Sequence, residues 1–306
     1  MGWLRRNRRA PRTVTRGRGW PDAVLDAAVA EAEDGRLGAA RTVLAECRDL
    51  PEIRAFRVGE LAAALVGFGD GVATVAGVGD PDLLLLSGAV FSREAWTIRG
   101  SAAVVGATRE KVFRGHAALA VAPLRAAARL LPHDPVPWAE LEPVARGLGA
   151  ARAERDDVWA EVARRCPTLT VAVKRRLTTL TPRWGGDEAD MLAFAREAVA
   201  AAPEGHPAAA ILAEAQFERA AHAEAPVAKY ARPARAELST ASAKLLAGTR
   251  PMPQTAWAHN AFAAVFAAMG DAHAAPHLRA MNDHLDVAWD RVGGEPAYQR
   301  AVAKFL

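Results

Sequence analysis

Three histidines near the end of the chain have the spacing that most readily suggests chemistry. His273, His277 and His284 fall at i, i+4 and i+11 of a predicted helix over residues 272–291, on one face, with Asp271 near the helix start. Imidazoles one turn apart can bind zinc. His284 would lie about 10 Å beyond His277 along the axis, too far to bind the same ion. We therefore expect a polar helix face and no metal site, and keep a helical metal-dependent enzyme using His273 and His277 as an alternative.

No nucleophile of this sequence has the neighbours that catalysis requires. The serines lie outside any G-x-S-x-G pattern, and neither Cys47 nor Cys166 carries a motif that identifies a base partner. Asp156 and Asp157 are adjacent and would point in different directions on a helix. The sequence predicts a protein that is not an enzyme and that needs no cofactor. The two cysteines form no CxxC pair and no secreted disulfide framework, which favours a cytoplasmic location.

Positive charge is concentrated at the start of the chain. Residues 1–20 hold seven arginines and no acid, so a chain of net charge +4 carries about −3 in its remaining residues. We predict a basic, disordered arm that aids solubility. The alternative is an arm that binds nucleic acid or anionic headgroups with salt-dependent affinity. Its residues are Arg5, Arg6, Arg8, Arg9, Arg12, Arg16 and Arg18.

Neither the start of the chain nor its longest uncharged stretch has the pattern of a secretory signal or a membrane-spanning helix. The arginine-rich start is not followed by the apolar core of a secretory signal. No formally charged residue lies between Arg250 and Asp271, but the helix that fits there has about 16 residues, short of the roughly 20 that a bilayer requires. We expect a buried helix there and no membrane span.

The elements that must position these residues are predicted to be helices throughout. Alanine, leucine, arginine and glutamate dominate, and no segment alternates with a period of two. Pro132, Pro167 and Pro203 follow apolar helical runs at intervals of 35 and 36 residues, which is typical of a helical-hairpin repeat. We expect an all-α domain over residues 21–306.

The helix boundaries follow from caps and helix-breaking residues. Helices are predicted to start at Asp22, at Asp80 and again at Ser92. The glycine-rich residues 67–80 predict a loop or a short weak helix, so a break in the array is considered within residues 67–108. Further helices are predicted at about 38–49, 51–67, 108–131, 137–147, 151–165, 168–181, 187–202, 206–222, 233–247, 253–269, 272–291 and 295–305.

One stretch resembles the tetratricopeptide repeat. That family places a Gly-Asp turn between two helices, small residues five and twelve positions after the glycine, and a proline at seventeen. Gly186-Asp187 leads to Ala198 and Pro203 at the matching places, whereas Met191 replaces the first small residue. The segments that begin near Gly35 and Gly270 match in part. A nearby P-x-W-G-G followed by M-L-x-F-A, from Pro182 to Ala195, looks like a signature of uncharacterised bacterial helical-repeat proteins.

The resemblance implies a right-handed α-solenoid-like array of antiparallel helix pairs that acts as an interaction scaffold. Such proteins bind a peptide or protein segment in a concave groove, and one variant holds a carboxylate with Asn, Lys and Arg. Lys174, Arg175, Arg176 and Asn260 lie on helices of the right kind, although the spacing of that clamp is absent. They are the candidate partner-binding residues, and a solvated helix face is the alternative for the three basic ones.

Overall fold

The chain folds into helices, as its composition predicts. The computed structural model describes residues 12–101, 105–248 and 250–306, and these hold no β-strand, only a single backbone bridge between Thr15 and His284. The α-helices of the described residues are α1 (Ala23–Glu33), α2 (Gly38–Ala45), α3 (Pro51–Ala64), α4 (Gly69–Ala76), α5 (Pro81–Arg99), α6 (Ala107–Leu130), α7 (Val136–Leu148), α8 (Arg152–Arg165), α9 (Thr170–Thr179), α10 (Glu188–Ala201), α11 (Ile211–His222), α12 (Ala228–Ala231), α13 (Arg235–Leu246), α14 (Thr255–Met269), α15 (Ala274–Ala280) and α16 (Gly294–Phe305). Short 3₁₀ turns lie at Pro182–Trp184, Pro207–Ala210 and Asp290–Val292. The all-α prediction is confirmed.

Local signals place many of the helix ends correctly. The carboxylates of Asp22, Asp80 and Asp187 each accept a hydrogen bond from a backbone N–H two or three residues further on, at the starts of α1, α5 and α10. Such an N-cap contributes about 1 kcal/mol. The three prolines at intervals of 35 and 36 residues each lie two residues beyond the last residue of α6, α8 or α10. They therefore mark helix ends as expected.

Packing overrides two of the predicted boundaries in the first half of the chain. Ser92 starts no helix, because it lies inside α5 with only 4% of its surface exposed. Pro123 predicts a kink or a break in the helix expected over residues 108–131, but α6 continues on both sides of it. Helices α5 and α6 approach closely at Gly88, where an added Cβ would lie 2.4 Å from the Cγ of Leu124. Burial along this contact favours long continuous helices over the local break signals.

The predicted helix over residues 272–291 is wrong. Helix α15 ends at Ala280, and Asn282 and Asp283 then take φ angles of +47° and +59°. Left-handed backbone cannot continue a right-handed helix, so the chain turns away. His284 therefore lies outside the helix that carries His277.

The described chain divides into two compact units. The described residues of 21–180, with 184–186, form the N-terminal unit. The described residues up to Trp20, those of 187–306, and 181–183 form the C-terminal unit. The division falls near residue 180 and not within residues 67–108, whose described part belongs to the N-terminal unit. There, residues 69–76 of the glycine-rich stretch form α4.

The odd-numbered helices of the N-terminal unit are in contact with one another. Helices α1, α3, α5, α7 and α9 contact one another in that order, and the even-numbered helices pack beside them. Helix α3 also reaches α9, where the Glu52 carboxylate accepts hydrogen bonds from the backbone N–H and hydroxyl of Thr170, at 2.6 and 2.8 Å. In a strictly linear array each repeat contacts only its neighbours. This contact across 118 residues therefore departs from a purely linear arrangement.

The C-terminal unit is built around α14. Trp257, Phe262 and Phe266 of this helix are at most 5% exposed, which agrees with the buried helix expected for the uncharged stretch. In the ranges that the structure describes, no helix is both long and apolar enough to span a bilayer.

The end of the basic arm belongs to the C-terminal unit. Thr15 donates its N–H to the carbonyl of Asp283, and its own carbonyl accepts from the N–H of Leu285. Gly19 lies so close to α14 that an added Cβ would be 2.6 Å from the Cβ of Ala256. Residues 12–20 are therefore not the disordered tail that the sequence predicts, because they pair with the turn that follows α15.

Candidate functional site

A groove crosses the N-terminal unit over helices α6, α7 and α8. It has a volume of about 510 Å³, within the range of about 300–1,000 Å³ usual for ligand sites. Leu141 and Val144 of α7 and Val158 of α8 form an apolar floor and are themselves at most 6% exposed. Val121 of α6 and Leu148 of α7 complete the apolar lining.

Helix geometry explains why α7 presents this floor. Leu141, Val144 and Leu148 are spaced at i, i+3 and i+7, so they lie along one face. Pro137 lies in the first turn of α7. The N–H groups of a first turn have no acceptor within the helix, so a proline is tolerated there. The helix ends at Gly149, whose φ of +72° lets the chain turn into α8.

Trp138 contributes an aromatic side chain to the groove. Its side chain lines the groove, and its indole Nε1 is buried without an acceptor among the described residues. The guanidinium of Arg165 lies over its ring, 5.4 Å from the centroid. That same guanidinium donates to the carbonyl of Pro132 at 2.7 Å. A buried donor without an acceptor costs about 1–3 kcal/mol.

The rim of the groove is acidic. Glu154, Asp157 and Glu161 of α8 line it at i, i+3 and i+7, against the single cation Arg125 of α6. Glu161 accepts from Arg164 and Arg165, and the Arg165 hydrogen bond is the larger of the causes that lower the pKa of this carboxyl. Within the described ranges, Glu154 and Asp157 make no ion pair. The groove therefore offers an apolar floor and two exposed carboxylates to a basic partner.

The basic triplet of α9 is engaged inside the unit. Arg175 pairs with Glu140 at 2.8 Å, and Arg176, 6% exposed, pairs with Asp156 at 2.5 Å. Burial raises the pKa of the Glu52 carboxyl to about 6. The hydrogen bonds from Thr170 and the charge of Lys174 act in the opposite direction. Arg176 is buried and paired, so it neither faces a partner nor lies on a solvated helix face. Both predictions are corrected for this residue.

Beneath the triplet lies a buried carboxyl. Burial raises the pKa of Glu142 to about 7, and the guanidinium groups of Arg176 and Arg146 act in the opposite direction. Thr179 donates its hydroxyl to Glu142 at 3.3 Å. The arginines of α7 and α9 therefore compensate a buried acid, which explains why basic residues point into the unit.

Asn260 does not face a partner. It is fully buried in α14, where its amide nitrogen donates to the carbonyls of Ala256 and His284, at 2.8 and 3.0 Å. Its amide oxygen accepts from the N–H of Asp286 at 3.0 Å. Asn260 therefore fastens the turn after α15 to α14, and the prediction of a partner-binding role is corrected.

The histidines are brought together differently from the sequence prediction. His277 is fully buried, with its Nε2 2.7 Å from the hydroxyl of Ser242 and its Nδ1 2.9 Å from Nδ1 of His259. His273 instead lies 2.7 Å from Asp271. Burial lowers the pKa values of His259 and His277. The expected pair of His273 and His277 is thus divided between two networks.

Ser242, His277 and His259 form one line of polar side chains inside the C-terminal unit. The line from Ser242 through His277 to His259 has the residue types of a nucleophile and its base. Ser242 is only 1% exposed, however, so a substrate cannot reach its hydroxyl. Among the described residues, no three His, Cys, Asp or Glu side chains are grouped so that they could hold a metal ion.

The arginines of the arm are described only in part. Arg12 pairs with Asp283 at 3.1 Å and Arg16 with Asp290 at 3.2 Å. Arg18 also has interactions within the chain. Arg5, Arg6, Arg8 and Arg9 lie outside the described residues.

Comparison with known proteins identifies no relative from which a function could be inferred. No protein-family model, no curated protein and no solved structure matches it. The resemblance to the tetratricopeptide repeat stays a prediction from the spacing of residues.

One signal of the groove is visible in the sequence and was missed. The spacing of Glu154, Asp157 and Glu161 places three acids on one face of the helix predicted over 151–165. The sequence does not predict that the indole nitrogen of Trp138 is buried without an acceptor, because this depends on how the helices pack.

Proposed function

We propose that this chain is a non-catalytic interaction scaffold whose groove over α6, α7 and α8 binds a basic segment of a partner protein. The segment would place apolar side chains on Leu141, Val144 and Val158 and lysine or arginine side chains beside Glu154 and Asp157. The two exposed carboxylates beside the apolar floor are the observation that carries the proposal.

The properties of the groove support a peptide as its occupant. Amphipathic segments bind in grooves through apolar anchors spaced along one helix face. The 510 Å³ of the groove accommodate a few side chains of such a segment. Glu154 and Asp157, two carboxylates without an ion pair among the described residues, favour a cationic partner and increase its rate of association.

The finer features of the fold belong to the same proposal. We infer a right-handed, tetratricopeptide-like solenoid of antiparallel helix pairs, which the successive contacts of α1, α3, α5, α7 and α9 support. A cytoplasmic location is inferred from Cys47 and Cys166, which are both free thiols.

A designed peptide tests the groove directly. The probe is a fluorescent 14-residue helical peptide of leucine and lysine, compared with the same sequence carrying glutamate for lysine. We expect the lysine peptide to bind and the glutamate peptide not to bind. Replacing Glu154 and Asp157 together by lysine should weaken the lysine peptide by roughly fivefold to tenfold, since exposed charge pairs contribute a few tenths to 1 kcal/mol each. Fluorescence anisotropy measures both affinities.

Two further variants separate the groove from general attraction of charge. Trp138→Phe keeps an aromatic ring but shortens it by the five-membered ring of the indole, so the peptide should lose apolar contact and bind up to roughly tenfold more weakly. Glu33→Lys changes an exposed acid at the end of α1, outside the groove lining, and should leave affinity nearly unchanged. Equal losses for Glu33→Lys and for the groove variants would contradict the proposal.

A further inference from the structure

The chain itself contains a segment with the chemistry that the groove over α6, α7 and α8 selects. Residues 1–11, which lie outside the described residues, have the sequence MGWLRRNRRAP. They hold four arginines and no acid, and Trp3 and Leu4 come directly before the first of these arginines. An apolar floor beside an acidic rim binds segments in which apolar side chains lie next to positive charges.

The described end of the arm shows how its arginines are used. Arg12 pairs with Asp283 at 3.1 Å, so an arginine of this arm takes an acid from a distant part of the chain as its partner. In the groove, Glu154 and Asp157 are exposed and make no ion pair with a described residue. The groove therefore offers two carboxylates to the four arginines of residues 1–11.

The segment is long enough to reach the floor and the rim of the groove together. Glu154 and Glu161 are seven residues apart on α8, which is about 10 Å along the helix axis. Residues 3–9 can span at most about 25 Å. Trp3 and Leu4 can therefore contact the apolar floor while arginines lie beside the carboxylates of the rim.

Other cavities of the described residues suit a basic segment less well. Arg232 and Arg235 line one cavity of the C-terminal unit, and Arg300 and Lys304 line another. Like charges brought together in this way oppose binding. The groove carries the single cation Arg125 against its acidic rim, so its charge favours the segment.

We propose that residues 1–11 occupy the groove when no other basic segment is bound, a proposal that rests on the function proposed for the groove. Trp3 and Leu4 contact the apolar floor. Glu154 and Asp157 pair with arginines of the segment. The basic arm is then a competitor of the partner protein, which must displace it in order to bind.

Competition with the designed leucine–lysine peptide tests this occupant in the full chain. Trp3→Ser with Leu4→Ser removes the apolar anchors and leaves the charge of the arm unchanged. This variant should bind the peptide roughly tenfold more tightly than the original chain, because a groove that is free about one tenth of the time binds a competitor tenfold more weakly. Fluorescence anisotropy measures the affinities.

Val78→Ser is the matched control for the loss of apolar surface. Val78 is 95% exposed and lies outside the groove lining, so its replacement should leave the affinity for the peptide unchanged. Equal affinities of the original chain and of the variant with Trp3→Ser and Leu4→Ser would overturn the occupant and leave the groove able to bind a basic peptide. The absence of peptide binding by every chain would overturn the occupant together with the function proposed for the groove.

A synthetic peptide with the sequence of residues 1–11 tests where the segment binds. It should bind the chain that carries Trp3→Ser and Leu4→Ser. Adding Glu154→Lys with Asp157→Lys to that chain should weaken this peptide by roughly fivefold or more, whereas adding Glu33→Lys should not. Equal binding with and without the substitutions of Glu154 and Asp157 would overturn the placement of the segment in the groove.

Discussion

At the scale of single residues, the clearest case is the pair of glycines in the P-x-W-G-G motif. Gly185 has a φ of +73°, in the region that L side chains rarely adopt. Gly186 faces the carbonyl of Leu180, and a Cβ added there would lie 2.0 Å from that oxygen. The motif is therefore explained by a tight approach of backbone to backbone, and it needs no ligand to account for it.

Replacement of Gly186 tests this explanation. Gly186→Ala should lower the free energy of unfolding by about 1–3 kcal/mol, because the obstacle is backbone and the chain itself must shift. Urea denaturation followed by circular dichroism measures the loss. The matched control is Gly71→Ala in α4, where an added Cβ meets no atom within 4 Å. That variant should be neutral or slightly stabilising, and a loss as large as that of Gly186→Ala would contradict the explanation.

At the scale of elements, histidines fix a helix start and link packed helices in the C-terminal unit. The Nδ1 of His206 accepts from the N–H of Ala208, at 3.2 Å, and so caps the 3₁₀ turn that leads into α11. Burial lowers the pKa of His206 to about 4. The histidines of α14 and α15, His259 and His277, share a similar environment. These elements therefore require neutral imidazoles.

The requirement sets a direction for the dependence of stability on pH. A folded-state pKa below the ordinary 6.5 means that the unfolded chain binds the proton more readily. The contribution of His206 is complete above pH 6.5 and is lost as pH falls toward 4, by about 2–3 kcal/mol. His206→Asn keeps an oxygen acceptor for the cap and removes the titration. Its free energy of unfolding should fall less steeply between pH 6.5 and 4.

Chemical denaturation at several pH values measures the two slopes. The remaining buried histidines keep some acid sensitivity in the variant, so a shallower slope is expected and not a flat one. A slope identical to that of the original chain would show that His206 titrates at its ordinary pKa. The same measurement on His222→Asn, at the end of α11 and mostly exposed, serves as the control.

At the scale of the whole molecule, the N-terminal residues complete the unit formed by the C-terminal half of the chain. Residues 12–20 bridge to the turn after α15 through Thr15 and the ion pairs of Arg12 and Arg16. Contacts between segments about 270 residues apart order late in folding, because the loop between them costs entropy. The arm sequence therefore has a structural role at its end, whatever its first residues bind.

Two deletions separate that structural role from the charge of the arm. Removing residues 1–20 should make the backbone amide of Leu285 exchange faster with solvent, since its acceptor is the carbonyl of Thr15. Removing only residues 1–11 takes away four arginines and keeps this hydrogen bond, so the exchange should stay slow. Hydrogen exchange followed by mass spectrometry compares the two. Equal protection of Leu285 in both variants would contradict the packing of the arm.

The sequence by itself determined what depends on near neighbours in the chain. Caps at Asp22, Asp80 and Asp187 act within three residues, and proline ends a helix through its own ring, so the helices and many of their ends are predictable. The burial of α14 follows in the same way from an uncharged run of the right length. The all-α class required no knowledge of which helices meet.

Only the tertiary structure decided which side chains meet. His277 pairs with His259 and Ser242 because α13, α14 and α15 pack together, and His284 leaves the predicted face because the backbone turns at Asn282 and Asp283. The exposed arginines expected on α9 became partners of acids on other helices. The apolar floor and the acidic rim of the groove meet only because α6, α7 and α8 pack together. Each of these outcomes depends on contacts between helices, which local spacing does not specify.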